Sequence, residues 1–105
     1  MATVYVTVGR VASRAPVTGD TLQALGAVPQ KTVQASSTGS SAVVVGITAA
    51  RNQVWSIYAA DGPVRVAFGT APTAAGTAYW IVPQGSTREF VCEDEGPQAI
   101  ALMDA

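Results

Sequence analysis

Hydrophobic and polar residues alternate one by one over several short stretches of this chain, and a period of two marks a strand with one buried face. Along residues 3–8, Val4, Val6 and Val8 fall on one side and Thr3, Tyr5 and Thr7 on the other. The pattern is clearest from Gln53 to Thr70. Trp55, Ile57 and Ala59 oppose Val54, Ser56 and Tyr58, and then Val64, Val66 and Phe68 oppose Arg65 and Ala67. Between the two arms stand Asp61, Gly62 and Pro63. Glycine takes positive φ at no steric cost, and proline cannot donate to a ladder. The stretch is therefore expected to fold back as a hairpin about a tight turn at Asp61, Gly62 and Pro63, with the remaining strands built against it.

Further strands are expected at residues 31–35, 43–47, 78–82, 87–93 and 98–103. Val43, Val45 and Ile47 carry the second of these, where Gly46 marks a bulge or a close backbone approach. Pro83, Gln84 and Gly85 read as a turn, and Ser36 to Ser41 as a polar loop between strands. In the closing strand Ile100 and Leu102 oppose Ala99, Ala101 and Met103, so both faces are apolar, which suits a subunit interface. From Gly9 to Pro29 the alternation fails. That stretch reads as an extended arm or long loop on the domain or on a neighbour, with room for a short helical turn at Thr21 to Leu25 capped by Asp20. About eight short strands and no convincing helix predict an all-β fold. The expected architecture is an antiparallel β-sandwich, jelly-roll-like, in a single domain over residues 1–105.

Composition narrows the function. With 105 residues the chain suits one core. Only 12% of residues are charged, six basic and seven acidic, for a formal net charge of -1. A nucleic-acid surface needs a clustered basic excess, so no nucleic-acid partner is expected. Scarcity of charge beside abundant Ala, Val, Thr and Gly points instead to surface that partners cover. No apolar run approaches the ~20 residues that span a bilayer. The sequence also opens without a basic region followed by an apolar run, so neither a membrane partner nor a signal peptide is expected.

Candidate chemistry is thin. Histidine is absent, which removes the commonest general base and metal ligand. A lone Cys92 rules out an internal disulfide and reads as a buried small hydrophobe. Glu93, Asp94 and Glu95 carry hard oxygens that suit Ca²⁺, but three adjacent acids beside Gly96 and Pro97 read first as a solvated loop. Asp61 and Glu89 are the dispersed carboxylates a glycosidase pair would need, and nothing in the sequence places them together. Tyr79 and Trp80 could form a sugar-stacking platform, although a core or interface role is the plainer reading. No catalytic residue, metal or cofactor is assigned, and an enzyme is not expected.

From Val28 onward the order of segments carries a family likeness. A Ser/Gly-rich segment precedes Val43-Val44-Val45, then Ala60-Asp-Gly-Pro-Val-Arg-Val-Ala-Phe-Gly-Thr-Ala-Pro-Thr-Ala74, then Tyr79-Trp-Ile-Val-Pro-Gln-Gly85, then Ala99-Ile-Ala-Leu102. This order resembles small virion proteins of tailed bacteriophages, in particular head decoration (cement) proteins and related capsid-fibre modules. The resemblance implies a non-enzymatic β-sandwich that binds the outer capsid surface and reinforces contacts between capsomers. Its partner would be the major capsid protein, and copies would form a homo-oligomer on the shell, a trimer ahead of a dimer. It also implies a place on the virion after synthesis in the host bacterial cytoplasm. The other readings are a tail or head-completion protein, or a carbohydrate-binding or adhesion module using Tyr79, Trp80 or Trp55. Attachment is expected through the arm, where Val11, Val17, Leu22, Leu25 and Val28 offer apolar groups without a regular period.

Overall fold

The computed structural model describes residues 2–12, 24–25, 31–92 and 97–105. Their strands are β1 (Thr3–Ala12), β2 (Ala24–Leu25), β3 (Lys31–Ser36), β4 (Ala42–Val43), β5 (Gln53–Ala59), β6 (Val64–Gly69), β7 (Trp80–Val82), β8 (Thr87–Val91) and β9 (Ala99–Asp104). β2 is a two-residue addition to β1. The other eight make two antiparallel sheets of four packed as a sandwich, and no helix occurs among the described residues. In the first sheet β3 and β2 lie along one edge of β1, β5 along the other, and β8 beyond β5. The second sheet runs β4-β9-β6-β7.

The alternating residues fill the space between the sheets. Val4, Val6 and Val8 of β1, with Trp55, Ile57 and Ala59 of β5, meet Val64 and Val66 of β6, Val82 of β7, and Ile100 and Leu102 of β9, all buried. One buried hydrogen bond crosses this core near its end, where the Trp55 indole Nε1 donates to Gln98 Oε1 at 2.6 Å. Such a bond matters because an indole N–H buried without an acceptor costs its full desolvation. Cys92 is fully buried beside it, as expected, with Sγ 3.7 Å from the Ala49 carbonyl oxygen.

The expected hairpin is corrected by the pairing. β5 and β6 are both strands, with the predicted faces, but they do not pair with each other. β5 pairs with β1 and β8, while β6 pairs with β7 and β9 in the other sheet. Trp55, Ile57, Val64 and Val66 thus face one another across the core rather than side by side along a sheet. Alternation reports which face is buried and is silent on whether the partner lies beside or opposite. Residues 60–63 form a crossing between sheets. It is held on the first by Thr3 N donating to Asp61 Oδ1 at 2.6 Å and Ala60 N to the Thr3 carbonyl at 2.9 Å. Gly62 is not among the glycines at positive φ. Glycine is favoured there by proximity instead, since an added Cβ would sit 3.2 Å from Ala2 Cβ, a tight contact that the neighbour must yield to.

Other expectations change as well. β1 continues through Gly9 to Ala12, and Val11 and Ala12 pair with Leu25 and Ala24, so the stretch expected as an irregular arm begins as a ladder. That ladder takes up the backbone of Ala24 and Leu25 and excludes the helical turn there; residues 20–23 lie outside the described ones. The strand expected over 43–47 ends at Val43, because Gly46 at φ 86° turns the chain and leaves Val45 87% exposed. β7 begins at Trp80 rather than Ala78, whereas the turn after Pro83 is as expected, with Gly85 at φ 73° and Ser86 N donating to the Pro83 carbonyl at 3.1 Å. The closing strand, expected at an interface, is buried by its own chain. β9 is an inner strand of its sheet, and Ala101 on its outer face is fully buried.

Candidate functional site

Among the described residues, two open surfaces follow from the strand register. The first is the outer face of the first sheet, built from the polar half of the alternation. Register places Gln34, Tyr5, Tyr58 and Thr87 in one row across β3, β1, β5 and β8, and Thr32, Thr7, Ser56 and Glu89 in the next. The Tyr5 and Tyr58 rings stack with centroids 6.2 Å apart and remain 40% and 39% exposed. The hydroxyls of Thr7 and Thr32 share a hydrogen bond of 3.1 Å. Glu89 is the one charged side chain among these eight. Tyrosine pairs flanked by hydroxyls give amphipathic contact area at small ordering cost, the composition that recurs at protein interfaces.

The outer face of the second sheet is covered at its centre, while Val43 and Ile81 on its outer strands stay exposed. After Gly69, the chain folds back so that Ala74 N donates to Ser41 Oγ at 2.8 Å, at the start of β4. Ala67 and Ala101, paired on β6 and β9, are buried on that face, and Ala74 is fully buried. Small side chains let the loop approach closely. Next to them the Arg65 guanidinium carbon lies 4.4 Å from the centre of the Tyr79 ring, a cation–π contact that fixes the ring, while Arg65 Nε is buried without a partner among the described residues.

The second open surface is the side of the sandwich where the outer strands β7 and β8 meet. A row of rings closes it: Trp55 to Phe68 at 5.6 Å, Phe68 to Phe90 at 5.0 Å, and Phe90 to Trp80 at 5.8 Å between centroids. Burial falls along the row, from Trp55 at 0% exposed to Trp80 at 59%. Ile81 and Val91, next along the same two strands, are exposed on the outer faces of their sheets. A groove of about 370 Å³ beside Trp80 is lined by Ala67, Phe68, Thr77, Ala78, Tyr79 and Trp80.

The residues singled out from sequence divide accordingly. Trp55 belongs to the core and cannot contact a ligand, whereas Trp80 is not a core residue and Tyr79 sits beside it in the groove. Asp61 is engaged by Thr3, and Glu89 stands opposite Ser56 on β8, along the sheet from the Asp61 crossing, so they form no carboxylate pair. Val11 and Leu25 are opposite one another in the β1–β2 ladder, while Val17, Leu22, Val28 and the acids Glu93, Asp94 and Glu95 lie outside the described residues. Among the described residues no group of three or more His, Cys, Asp or Glu comes together, and no helix is long and apolar enough to cross a membrane. What sequence reasoning missed is the Tyr5–Tyr58 pair. Both tyrosines were assigned to the polar faces of their strands, and only the pairing of β1 with β5 brings them together.

No protein-family model matches this chain, and no curated protein or solved structure matches it either.

Proposed function

We propose that this protein is a structural component of a tailed-bacteriophage virion, a decoration (cement) protein that binds the outer capsid surface and stabilises contacts between capsomers. The observation that carries the reading is the open, nearly uncharged outer face of the first sheet, centred on Tyr5 and Tyr58. It joins the sequence resemblance, which spans about the last three-quarters of the chain. A chain with 12% charged residues cannot furnish a dense electrostatic match to a shell, so apolar and hydroxyl contact must supply the attachment. Tyrosines already stacked in the free protein lose little freedom on binding, which suits a surface that must hold in many copies. The major capsid protein is the partner on this reading, and copies assemble as a homo-oligomer on the shell.

The test is co-sedimentation with purified capsids and the copy number retained. Stoichiometric binding that Tyr5→Ala with Tyr58→Ala abolishes, without loss of the folded state, supports the proposal. A protein that stays in the supernatant at saturating capsid concentration defeats it.

A further inference from the structure

We infer that the groove beside Trp80 is a binding site for neutral saccharides. It is a different surface from the Tyr5–Tyr58 face and serves a different ligand. Trp80 opens β7, the outer strand of its sheet, and is 59% exposed while resting against Phe90 at 5.8 Å. Its ring is thus held in place without being covered, the condition for stacking a ligand at small ordering cost. Tyr79, pinned by Arg65 at 4.4 Å, brings a second ring, and Thr77 and Tyr79 bring hydroxyls. Ala67 and Ala78 keep the floor low. As an outer strand, β7 also turns every second pair of backbone N–H and C=O groups away from β6.

The chemistry of this lining selects its ligand. A pyranose ring presents a patch of C–H bonds that suits the negative face of an aromatic ring, and a rim of hydroxyls that suits Thr77, Tyr79 and the strand edge. None of the six lining residues is charged, and the neighbouring Arg65 is not among them but stacks on the Tyr79 ring, so the lining itself favours a neutral ligand over a phosphate or carboxylate. An extended peptide would need a longer edge: β7 offers three residues, and Pro83 behind it has no N–H to donate. At about 370 Å³ the groove lies at the small end of ligand sites, which suits one or two sugar rings.

The experiment titrates the full chain with malto-, cello-, chito- and galacto-oligosaccharides and follows tryptophan emission. Affinity electrophoresis in gels containing the corresponding soluble polysaccharides runs alongside. At least one series should give a saturable change, because Trp80 is open to ligand while Trp55 is buried. Trp80→Ala should weaken that binding roughly tenfold or more, and Trp80→Phe should keep most of it. The melting temperature of both variants should stay near that of the parent, which separates loss of ligand from loss of fold. The inference is overturned if no oligosaccharide binds below roughly 10 mM, or if Trp80→Ala binds as the parent does. It is also overturned if Trp80→Ala loses capsid binding while no saccharide binds, since the groove then belongs to a protein contact.

Discussion

The outer faces of the two sheets meet the same requirement in opposite ways. Each sheet buries one face in the shared core and must dispose of the other. The second sheet carries small apolar side chains outward, Ala67 and Ala101, and lays its own 70–79 loop over them. The first carries Tyr5, Thr7, Ser56, Tyr58 and Thr87 outward and leaves them open. Side-chain size and hydrogen-bonding capacity make the difference: alanines admit a backbone in close contact, whereas tyrosines and threonines can face water or a partner. The covered centre of the second sheet is therefore a stability element, and in the proposed function the open face of the first is the attachment surface.

The largest expected effect comes from charging the covered face. Ala101→Asp should cost about 4 kcal/mol or more, because the carboxylate would be buried under the loop without a partner. Thr87→Asp on the open face should change stability by no more than about 0.5 kcal/mol. Chemical denaturation of the two variants compares the faces directly, and equal small losses would mean that Ala101 is not truly covered.

The core both faces share comes next. Gln98→Leu keeps similar volume but strips the acceptor from Trp55 Nε1, and should cost about 1–3 kcal/mol by the same measurement. Gly62→Val, at the crossing that joins the sheets, should cost a comparable 1–3 kcal/mol or so through overpacking against Ala2, with Gly62→Ala milder. Were φ at Gly62 the constraint, alanine and valine would be similarly harmful, so the pair of variants separates the two causes.

The smallest effect concerns pH. Ser37 Oγ donates to Asp104 Oδ1 at 2.5 Å and holds that carboxyl below its ordinary value, against an opposing push from burial. A carboxyl whose folded pKa is depressed contributes stability that is present above its unfolded value, near 3.8, and is lost as pH falls through the lower folded value. Thermal melts of Asp104→Asn should therefore show a shallower loss of stability below that pH than the parent. An identical acid limb would exclude this contact as a source.

Much of the fold was legible because its signals are local. The faces of β1, β5 and β6 follow from alternation, and the Pro83 to Gly85 turn from residue type. What was not legible depends on partners distant in the chain. Nothing in residues 53–70 distinguishes a hairpin from a crossing between sheets, since both demand the same alternation and a turn. Ala101 looked like an interface residue because its covering loop, 70–79, lies 22 to 31 residues earlier in sequence. Likewise Trp55 and Trp80 sit in similar local contexts, and only the order of strands puts one in the middle of a sheet and the other at its edge.

Central to the proposed function is attachment to a capsid through a face whose two rows carry a single charge, Glu89. The most direct measurement is the number of copies that sediment with purified capsids at low salt and at roughly 1 M salt, where the Debye length shrinks to about 3 Å. Attachment through the Tyr5–Tyr58 face predicts a fixed copy number, unchanged between the two conditions and lost in the double alanine variant. Copies that wash off at high salt, or that never sediment, would contradict it.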